Sequence, residues 1–315
     1  MGLPPFGAFK PLCRTVGSYP ICNLFFRQLA KHFPDEFPTS NLYDFTKVAP
    51  VGINIECGIP RASGSGHLGN IANTIACGLS IIAVLLLVLR CSKREAAVGR
   101  AEFRALLLMY GLTLVLQILT TGSYLRQSST GLVIVTAVHM GAVVGFFWGL
   151  LANAIVSTQF VEDGTPSSLI PFYGIYIILF GATTYISLDT AFSFTTAFNP
   201  SNPPSILQNV PLFVLTSVWP AFCAFAYFII ISYVVVRMLD EGRPLLWFLV
   251  AALLFVLSQL DYFLLSKVIC KGTNAKIDGS FVATILETLS VGVLFGGWVS
   301  ITEDTWEDPY LYPPK

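Results

Sequence analysis

The sequence predicts an all-α integral membrane protein, a bundle of seven transmembrane helices. Two features of composition support this class: 54% of the 315 residues are hydrophobic, and only 11% are charged, against about a quarter in soluble domains. The mean hydropathy is +0.70. A helix needs about 20 mainly apolar residues to cross the hydrocarbon core, and seven stretches meet that length. They cover residues 67–90, 104–123, 131–156, 169–188, 210–236, 245–266 and 279–301.

The basic residues predict the orientation of the bundle. The first connection, RCSKREAAVGRAEFR, holds the densest group of basic side chains in the chain. Loops rich in lysine and arginine stay in the cytosol, so this connection should be cytosolic. Seven spans then give a lumenal N-terminus and a cytosolic C-terminus. Lys267, Lys271 and Lys276 run against this assignment because their loop would be lumenal.

The spans divide the chain into three regions. Residues 1–66 form a lumenal N-terminal segment that is too small for a core of its own, although YPICNLFFRQLAKHF fits one short amphipathic helix. Residues 67–301 form the membrane domain, and residues 302–315 form an acidic cytosolic tail. Residues 189–209, broken by three prolines, are expected to form an irregular lumenal loop.

Four of the seven cysteines fall on the predicted lumenal side: Cys13, Cys22, Cys57 and Cys270. An even number on the oxidising side permits two disulfides in any of three pairings. We favour Cys13 with Cys22 and Cys57 with Cys270, the second tying the N-terminal segment to the last lumenal loop. The alternative is that these cysteines are buried free thiols.

Small residues recur at helical spacing in two spans. In the third span Gly141, Gly145, Gly149 and Asn153 repeat every four residues, and the seventh span carries Gly292 and Gly296. Such stripes let another helix approach closely inside a membrane. They are therefore candidate helix contacts, either with this chain's own bundle or with a helix of another protein.

Two acidic residues lie within otherwise apolar spans, Asp261 in the sixth and Glu287 in the seventh. Ionisable side chains inside a membrane are costly and mark functional or interhelical contacts. Together with His139 they permit three interpretations: structural hydrogen bonds between helices, recognition of a partner protein, or a path for a proton or another solute.

Several function classes lack their sequence signals. The 18 basic and 18 acidic residues balance, which gives no reason to expect nucleic acid as a partner. Protease, hydrolase and phosphate-loop motifs are missing, and three histidines are too few for a histidine-rich metal site. We therefore expect no enzyme activity and no cofactor. A seven-helix receptor and a small-solute or proton transporter remain as alternatives.

A series of short motifs resembles one family. In chain order they are PLC and ICN, ECGIPR, NIANT before the first span, AAVGRAEF and EDGT in cytosolic loops, and KIDGSF at the start of the last span. Together they are similar to the fungal chitin synthase export chaperones over nearly the whole chain. The resemblance implies a multi-pass protein of the endoplasmic reticulum membrane that binds a chitin synthase, helps it to fold and promotes its export.

Two further expectations follow from the cytosolic segments. The tail residues Glu303, Asp304, Glu307 and Asp308 form two acidic pairs, which we interpret as candidate export residues that contact the vesicle coat. Apart from membrane lipid, the coat and the synthase are the expected partners. We also predict a salt bridge from Arg100 to Glu162 or Asp163, which would join two cytosolic loops.

Overall fold

The computed structural model describes residues 4–33, 56–58, 69–122, 124, 125, 127 and 129–303, and this part of the chain is helical without strands. Two short helices come first, α1 (Lys10–Thr15) and α2 (Cys22–His32). Seven helices are long and apolar enough to cross a membrane, which confirms the predicted number of spans. They are α3 (Ile71–Lys93), α4 (Arg100–Thr121), α5 (Thr130–Ser157), α6 (Pro166–Phe192), α7 (Val210–Met238), α8 (Arg243–Gly272) and α9 (Gly279–Ser300).

Side-chain caps and prolines explain where most of these helices begin. Asn70, Ser129, Asn209 and Asp278 each accept a hydrogen bond from a backbone N–H in the first turn of the helix that follows. These residue types are the preferred N-caps because a short side chain with an oxygen satisfies a free backbone donor. Proline occupies the first turn of α6, α7 and α8, where its missing N–H costs nothing.

Helices α7 and α8 contain π-helical segments that the sequence did not predict. They cover Val214–Val218 and Val234–Met238 in α7, and Asp261–Leu265 in α8. A π segment changes the face that the following residues present, and such segments are frequent at functional sites. Asp261 is therefore both an acidic residue in an apolar helix and the first residue of a π-helical segment.

Helix α5 lies at the centre of the bundle and packs against α4, α6 and α7. Helix α3 packs against α4 and α9, and α9 packs against α8. Among the seven, α5 is the most buried and α6 the least. Helix α6 therefore presents most of its surface outwards, where hydrocarbon would surround it.

The N-terminal segment shares a core with the bundle. Phe9, Phe25 and Leu24 are fully buried and pack with Val133 and Leu212 of the membrane helices. Eight of the eleven residues of helix α2 are buried. An amphipathic helix on a protein surface buries only one apolar stripe, so α2 is more deeply buried than such a helix. We call the end of the bundle that carries α1 and α2 the disulfide end, and the end with the basic connection the basic end.

Candidate functional site

A buried polar network joins α3, α4 and α9 towards the disulfide end. Asn73 is its centre: its Nδ2 donates to Thr121 Oγ1 at 3.2 Å, and its Oδ1 accepts from Thr284 Oγ1 at 2.9 Å. Gln117 Nε2 also donates to Thr284 Oγ1, at 2.9 Å. One fully buried amide thus connects three helices, in an apolar setting where unpaired polar groups are costly.

Replacing Asn73 with leucine should lower the free energy of unfolding by about 1–3 kcal/mol, because Thr121 and Thr284 each lose a partner in the buried interior. Thermal unfolding of the purified protein in detergent measures the change. Thr74→Leu is the matched control because Thr74, in the same turn, bonds only its own helix. Equal unfolding temperatures for Asn73→Leu and wild type would contradict the role of the network.

The acid in α9 has a partner in α8. Gln259 Nε2 donates to Glu287 Oε1 at 3.0 Å. His139 of α5 has a separate contact, in which Nδ1 lies 3.1 Å from Thr120 Oγ1 of α4. These contacts bond helices to one another in pairs, and they do not form a continuous chain of ionisable groups. Both observed contacts are hydrogen bonds between neighbouring helices.

The glycines of the third span face other helices of this chain. A Cβ atom on Gly141 would meet Thr184 Oγ1 and lie 2.8 Å from the Phe180 carbonyl oxygen, and one on Gly145 would overlap the Tyr176 ring. These contacts lie on α6. Gly149 faces Met109 of α4, at 3.1 Å. All three glycines therefore lie close to other helices of this chain.

The remaining residues of the two stripes have different surroundings. Asn153 is buried, and its Nδ2 donates to the backbone carbonyls of Glu102 and Gly149. Gly296 faces the Trp247 ring at 3.1 Å, whereas a Cβ atom on Gly292 would find open space within 4 Å. Of the small residues proposed as contacts, Gly292 therefore has the most room for a helix of another protein.

At the basic end, two connections are joined by acidic side chains. Glu102 Oε1 accepts from the backbone N–H of Gly164 at 2.9 Å and from Ser168 Oγ at 2.6 Å, while Asp163 Oδ2 accepts from the N–H of Gly99 at 2.8 Å. Glu102 is fully buried. We refer to these three hydrogen bonds as the loop clasp.

The predicted salt bridge from Arg100 is wrong. Within the described residues, Arg100 forms no ion pair with Glu162 or Asp163. The two loops do meet, but backbone N–H groups take the place expected for the guanidinium. Gly99 has φ +69°, a left-handed conformation that glycine adopts readily. In this conformation its N–H donates to Asp163 Oδ2.

The start of the C-terminal tail lies against the basic connection. Arg94 donates from its guanidinium to the Thr302 carbonyl oxygen at 2.8 Å, and the Trp298 indole donates to the Val98 carbonyl oxygen at 3.0 Å. Glu303 is exposed at the end of the described chain. The other predicted tail residues, Asp304, Glu307 and Asp308, lie outside the described residues.

Two disulfides lie at the disulfide end, Cys13–Cys22 and Cys57–Cys270, and they have the pairings favoured from the sequence. The second joins the N-terminal segment to α8. Beside it, Glu56 forms ion pairs with Arg14 and with Lys267. We call this combination of disulfide and ion pairs the strap.

Two acidic residues, Asp261 of α8 and Asp278 at the start of α9, lie at the disulfide end of the bundle. Asp261 and Asp278 are near enough for their charges to repel each other. Asp278 Oδ1 accepts from the backbone N–H and the hydroxyl of Ser280. Burial raises the pKa of Asp278 despite these hydrogen bonds. A Cβ atom on Gly279 would lie 2.8 Å from the Asp261 carbonyl oxygen, so this position accepts only glycine without displacement.

The described residues contain no group of three or more histidine, cysteine, aspartate or glutamate side chains that could hold a metal ion. A cavity of about 10 Å³ lies at the basic end, beside Phe103, Asn153 and Trp298. It has room for about one water molecule and is too small for a substrate.

Comparison with known proteins identifies the family. The model for "Chitin synthase export chaperone" matches residues 5–310. The chain belongs to the chitin synthase export chaperone family. The resemblance drawn from the short motifs is thereby confirmed. No solved structure matches the chain.

Several curated fungal members of the family are similar to this chain. A chitin synthase export chaperone of Cryptococcus neoformans var. neoformans is 28% identical over 229 residues, which cover 72% of this chain and 62% of that protein. The match therefore spans less than two thirds of the Cryptococcus relative. Those of Chaetomium globosum and Aspergillus oryzae are 27% and 26% identical over 311 and 312 residues, covering 96% of this chain and 84% of each relative.

The motifs that carried the resemblance to these chaperones also carry the long-range contacts. NIANT supplies Asn73 of the polar network, AAVGRAEF supplies Glu102, and EDGT supplies Asp163 of the loop clasp. ECGIPR supplies Cys57, and KIDGSF supplies Asp278. The sequence marked the motifs but did not reveal which hydrogen bonds Asn73 and Asp278 form. The polar residue inside each motif was the feature of the sequence that could have indicated these contacts.

Proposed function

We propose that this protein binds a chitin synthase in the endoplasmic reticulum membrane, supports its folding and promotes its export. The observation that carries the proposal is the family match over residues 5–310. Seven apolar helices fit a membrane client, because transmembrane helices associate through packing and isolated hydrogen bonds within the lipid. The protein acts as a binding partner and not as an enzyme.

The cysteines support an orientation. Both disulfides lie at the disulfide end, and structural disulfides persist in oxidising compartments such as the lumen of the endoplasmic reticulum. The basic residues of the first connection lie at the other end, where the positive-inside rule favours the cytosol. We therefore place the disulfide end in the lumen and the tail that begins near Glu303 in the cytosol, within reach of the vesicle coat.

Deletion of the gene in a host that carries the cognate synthase tests the function. A fluorescently tagged synthase should stay in the perinuclear membrane, cell-wall chitin should fall, and re-expression of the wild-type chain should restore both. Affinity purification of the tagged chain in mild detergent should recover the synthase. Normal delivery of the synthase to the plasma membrane in the deletion strain would contradict the proposal.

A pair of glycine substitutions separates internal packing from client binding. Gly145→Leu should lower the free energy of unfolding by about 1–3 kcal/mol because the new side chain overlaps Tyr176. Gly181→Leu, on the adjacent helix, has open space around the new Cβ and should unfold like wild type. Thermal unfolding in detergent measures both, and equal stability of the two variants would contradict the assignment of the stripe.

The same variants help to locate the client. Gly174 and Gly181 lie on α6, the least covered of the membrane helices, and each faces open space. Synthase recovery should fall in Gly145→Leu together with stability. Loss of synthase recovery in Gly174→Leu/Gly181→Leu with wild-type stability would place the client against the outer face of α6, and full recovery would place it elsewhere.

A further inference from the structure

The side chain of Phe160 protrudes from the basic end of the protein. It lies in the connection between α5 and α6, and 88% of its surface is exposed, more than for any other large hydrophobic residue in the described part of the chain. A single exposed apolar residue is common on protein surfaces. A function for Phe160 therefore has to be argued from how the residue is held and from the charge around it.

The connection that carries Phe160 is fixed in place by hydrogen bonds. The loop clasp holds Asp163 through its carboxylate, at 2.8 Å, and Gly164 through its backbone N–H, at 2.9 Å. Thr165 Oγ1 donates to the Glu162 carbonyl oxygen at 2.7 Å, which closes the turn between them. A side chain on a fixed connection loses little conformational freedom when it binds a partner, and this favours affinity.

Phe160 lies outside the hydrocarbon layer. Asn153 Nδ2 donates to the Glu102 carbonyl oxygen, and Ser168 Oγ donates to the Glu102 carboxylate, so these three residues share one level of the bundle. Arg104, exposed on α4, lies on the membrane side of that level. A charged side chain that faces lipid belongs near the edge of the hydrocarbon. Phe160 comes after the end of α5, on the far side of this level.

The charge of this connection is opposite to what its position predicts. Residues 157–168 contain two acids, Glu162 and Asp163, and neither lysine nor arginine. Short cytosolic loops are usually basic, and the anionic lipids of the cytosolic leaflet repel an acidic loop. Asp163 is engaged in the loop clasp, whereas Glu162 is exposed and forms no ion pair with a described residue. An apolar ring beside a free carboxylate fits a basic protein surface better than a membrane.

We propose that Phe160 and Glu162 bind the cytosolic end of a transmembrane helix of the client synthase, with the ring against apolar side chains and the carboxylate paired with lysine or arginine. The positive-inside rule supplies the partner chemistry, because the cytosolic ends of transmembrane helices are rich in these basic residues. The connection leads directly into α6, the least buried membrane helix, so a client that lies along α6 meets Phe160 at the end of that helix. The inference rests on the proposed function and on the cytosolic placement of the basic end.

Affinity purification of the full-length tagged protein with its cognate synthase, in mild detergent, tests the inference. Phe160→Ala should reduce the recovered synthase by about fivefold or more, because aromatic anchors supply much of the binding energy of an interface. Phe160→Leu keeps an apolar side chain and should retain most of the recovery. Glu162→Lys should reduce recovery more than Glu162→Gln, since lysine adds repulsion to the loss of attraction.

The matched control is Phe194→Ala, which makes the same change at a phenylalanine that is 63% exposed at the disulfide end. It should recover as much synthase as wild type. All these variants should unfold at the wild-type temperature because the altered side chains are exposed. Wild-type recovery by both Phe160→Ala and Glu162→Lys would overturn the inference and leave the proposed function intact. Failure of the wild-type chain to recover any synthase would overturn both.

A spin label at position 160 separates a protein contact from a membrane anchor. Phe160→Cys can be labelled selectively because the free cysteines Cys77, Cys91 and Cys223 are buried. In lipid nanodiscs without synthase, the label should be more accessible to a water-soluble nickel complex than to oxygen, which concentrates in the hydrocarbon. Greater accessibility to oxygen would overturn the inference in favour of insertion into the membrane.

Discussion

Removal of the Cys57–Cys270 disulfide should lower the free energy of unfolding by about 2–5 kcal/mol. The two cysteines are 213 residues apart, so the bond closes a very long loop and strongly restricts the unfolded chain. The double variant Cys57→Ala/Cys270→Ala removes the bond without leaving a reactive thiol. The ion pairs of Glu56 with Arg14 and Lys267 should weaken with it, because the cysteine beside Glu56 is no longer fixed to α8.

Thermal unfolding in detergent, with and without a reducing agent, measures this effect. Reductant should lower the unfolding temperature of wild type more than that of the double variant. Cys223→Ala is the matched control, because Cys223 is a buried free cysteine and its removal breaks no disulfide. In cells, less of the double variant should accumulate, and less synthase should be exported. A double variant as stable as Cys223→Ala would contradict a stabilising strap.

Glu102→Ala should destabilise the basic end by about 3 kcal/mol. The buried carboxylate accepts hydrogen bonds from Gly164 N–H and Ser168 Oγ, and hydrogen bonds to charged groups contribute about 1.5–3 kcal/mol each. Without it, two donors lose their partner between α4 and α6. Glu102→Gln keeps an acceptor oxygen in the same place and should lose only about 1 kcal/mol.

Thermal unfolding and protease sensitivity of the connection before α6 measure the effect of Glu102. Glu162→Ala serves as the control, because Glu162 lies in the same connection and is exposed. Cleavage near residues 158–165 should increase in Glu102→Ala and stay at the wild-type level in Glu162→Ala. Equal cleavage in the two variants would show that the loop clasp does not hold this connection.

The number of membrane helices was predictable because hydropathy depends on local composition alone. The seven predicted stretches and the seven observed helices correspond one to one, with ends that differ by a few residues. The π-helical segments were not predictable, since a segment such as Asp261–Leu265 depends on packing between helices. The burial of α2 was not predicted either, because it also depends on packing between helices. The sequence of α2 shows an apolar face, but it does not show that other helices cover the opposite face as well.

The candidate site was predictable in part. Asp261 drew attention because a charge within an apolar run is costly wherever it lies. Its proximity to Asp278 depends on how α8 and α9 pack, which the sequence does not reveal. The motif AAVGRAEF, which contains Glu102, was singled out from the sequence, but the ion pair predicted for this motif joined Arg100 to Glu162 or Asp163, because opposite charges attract. The observed partners of Glu102 and Asp163 include backbone N–H groups, and these leave no mark in a sequence.

The strap also constrains the order in which the protein can be made. Cys57 precedes all seven membrane helices, and Cys270 lies near the end of the sixth. The covalent ring from residue 57 to residue 270 therefore encloses six helices and leaves α9 outside. It can close only after α8 has been synthesised and its end has met the N-terminal segment. The bond therefore cannot form before six of the seven membrane helices have been synthesised.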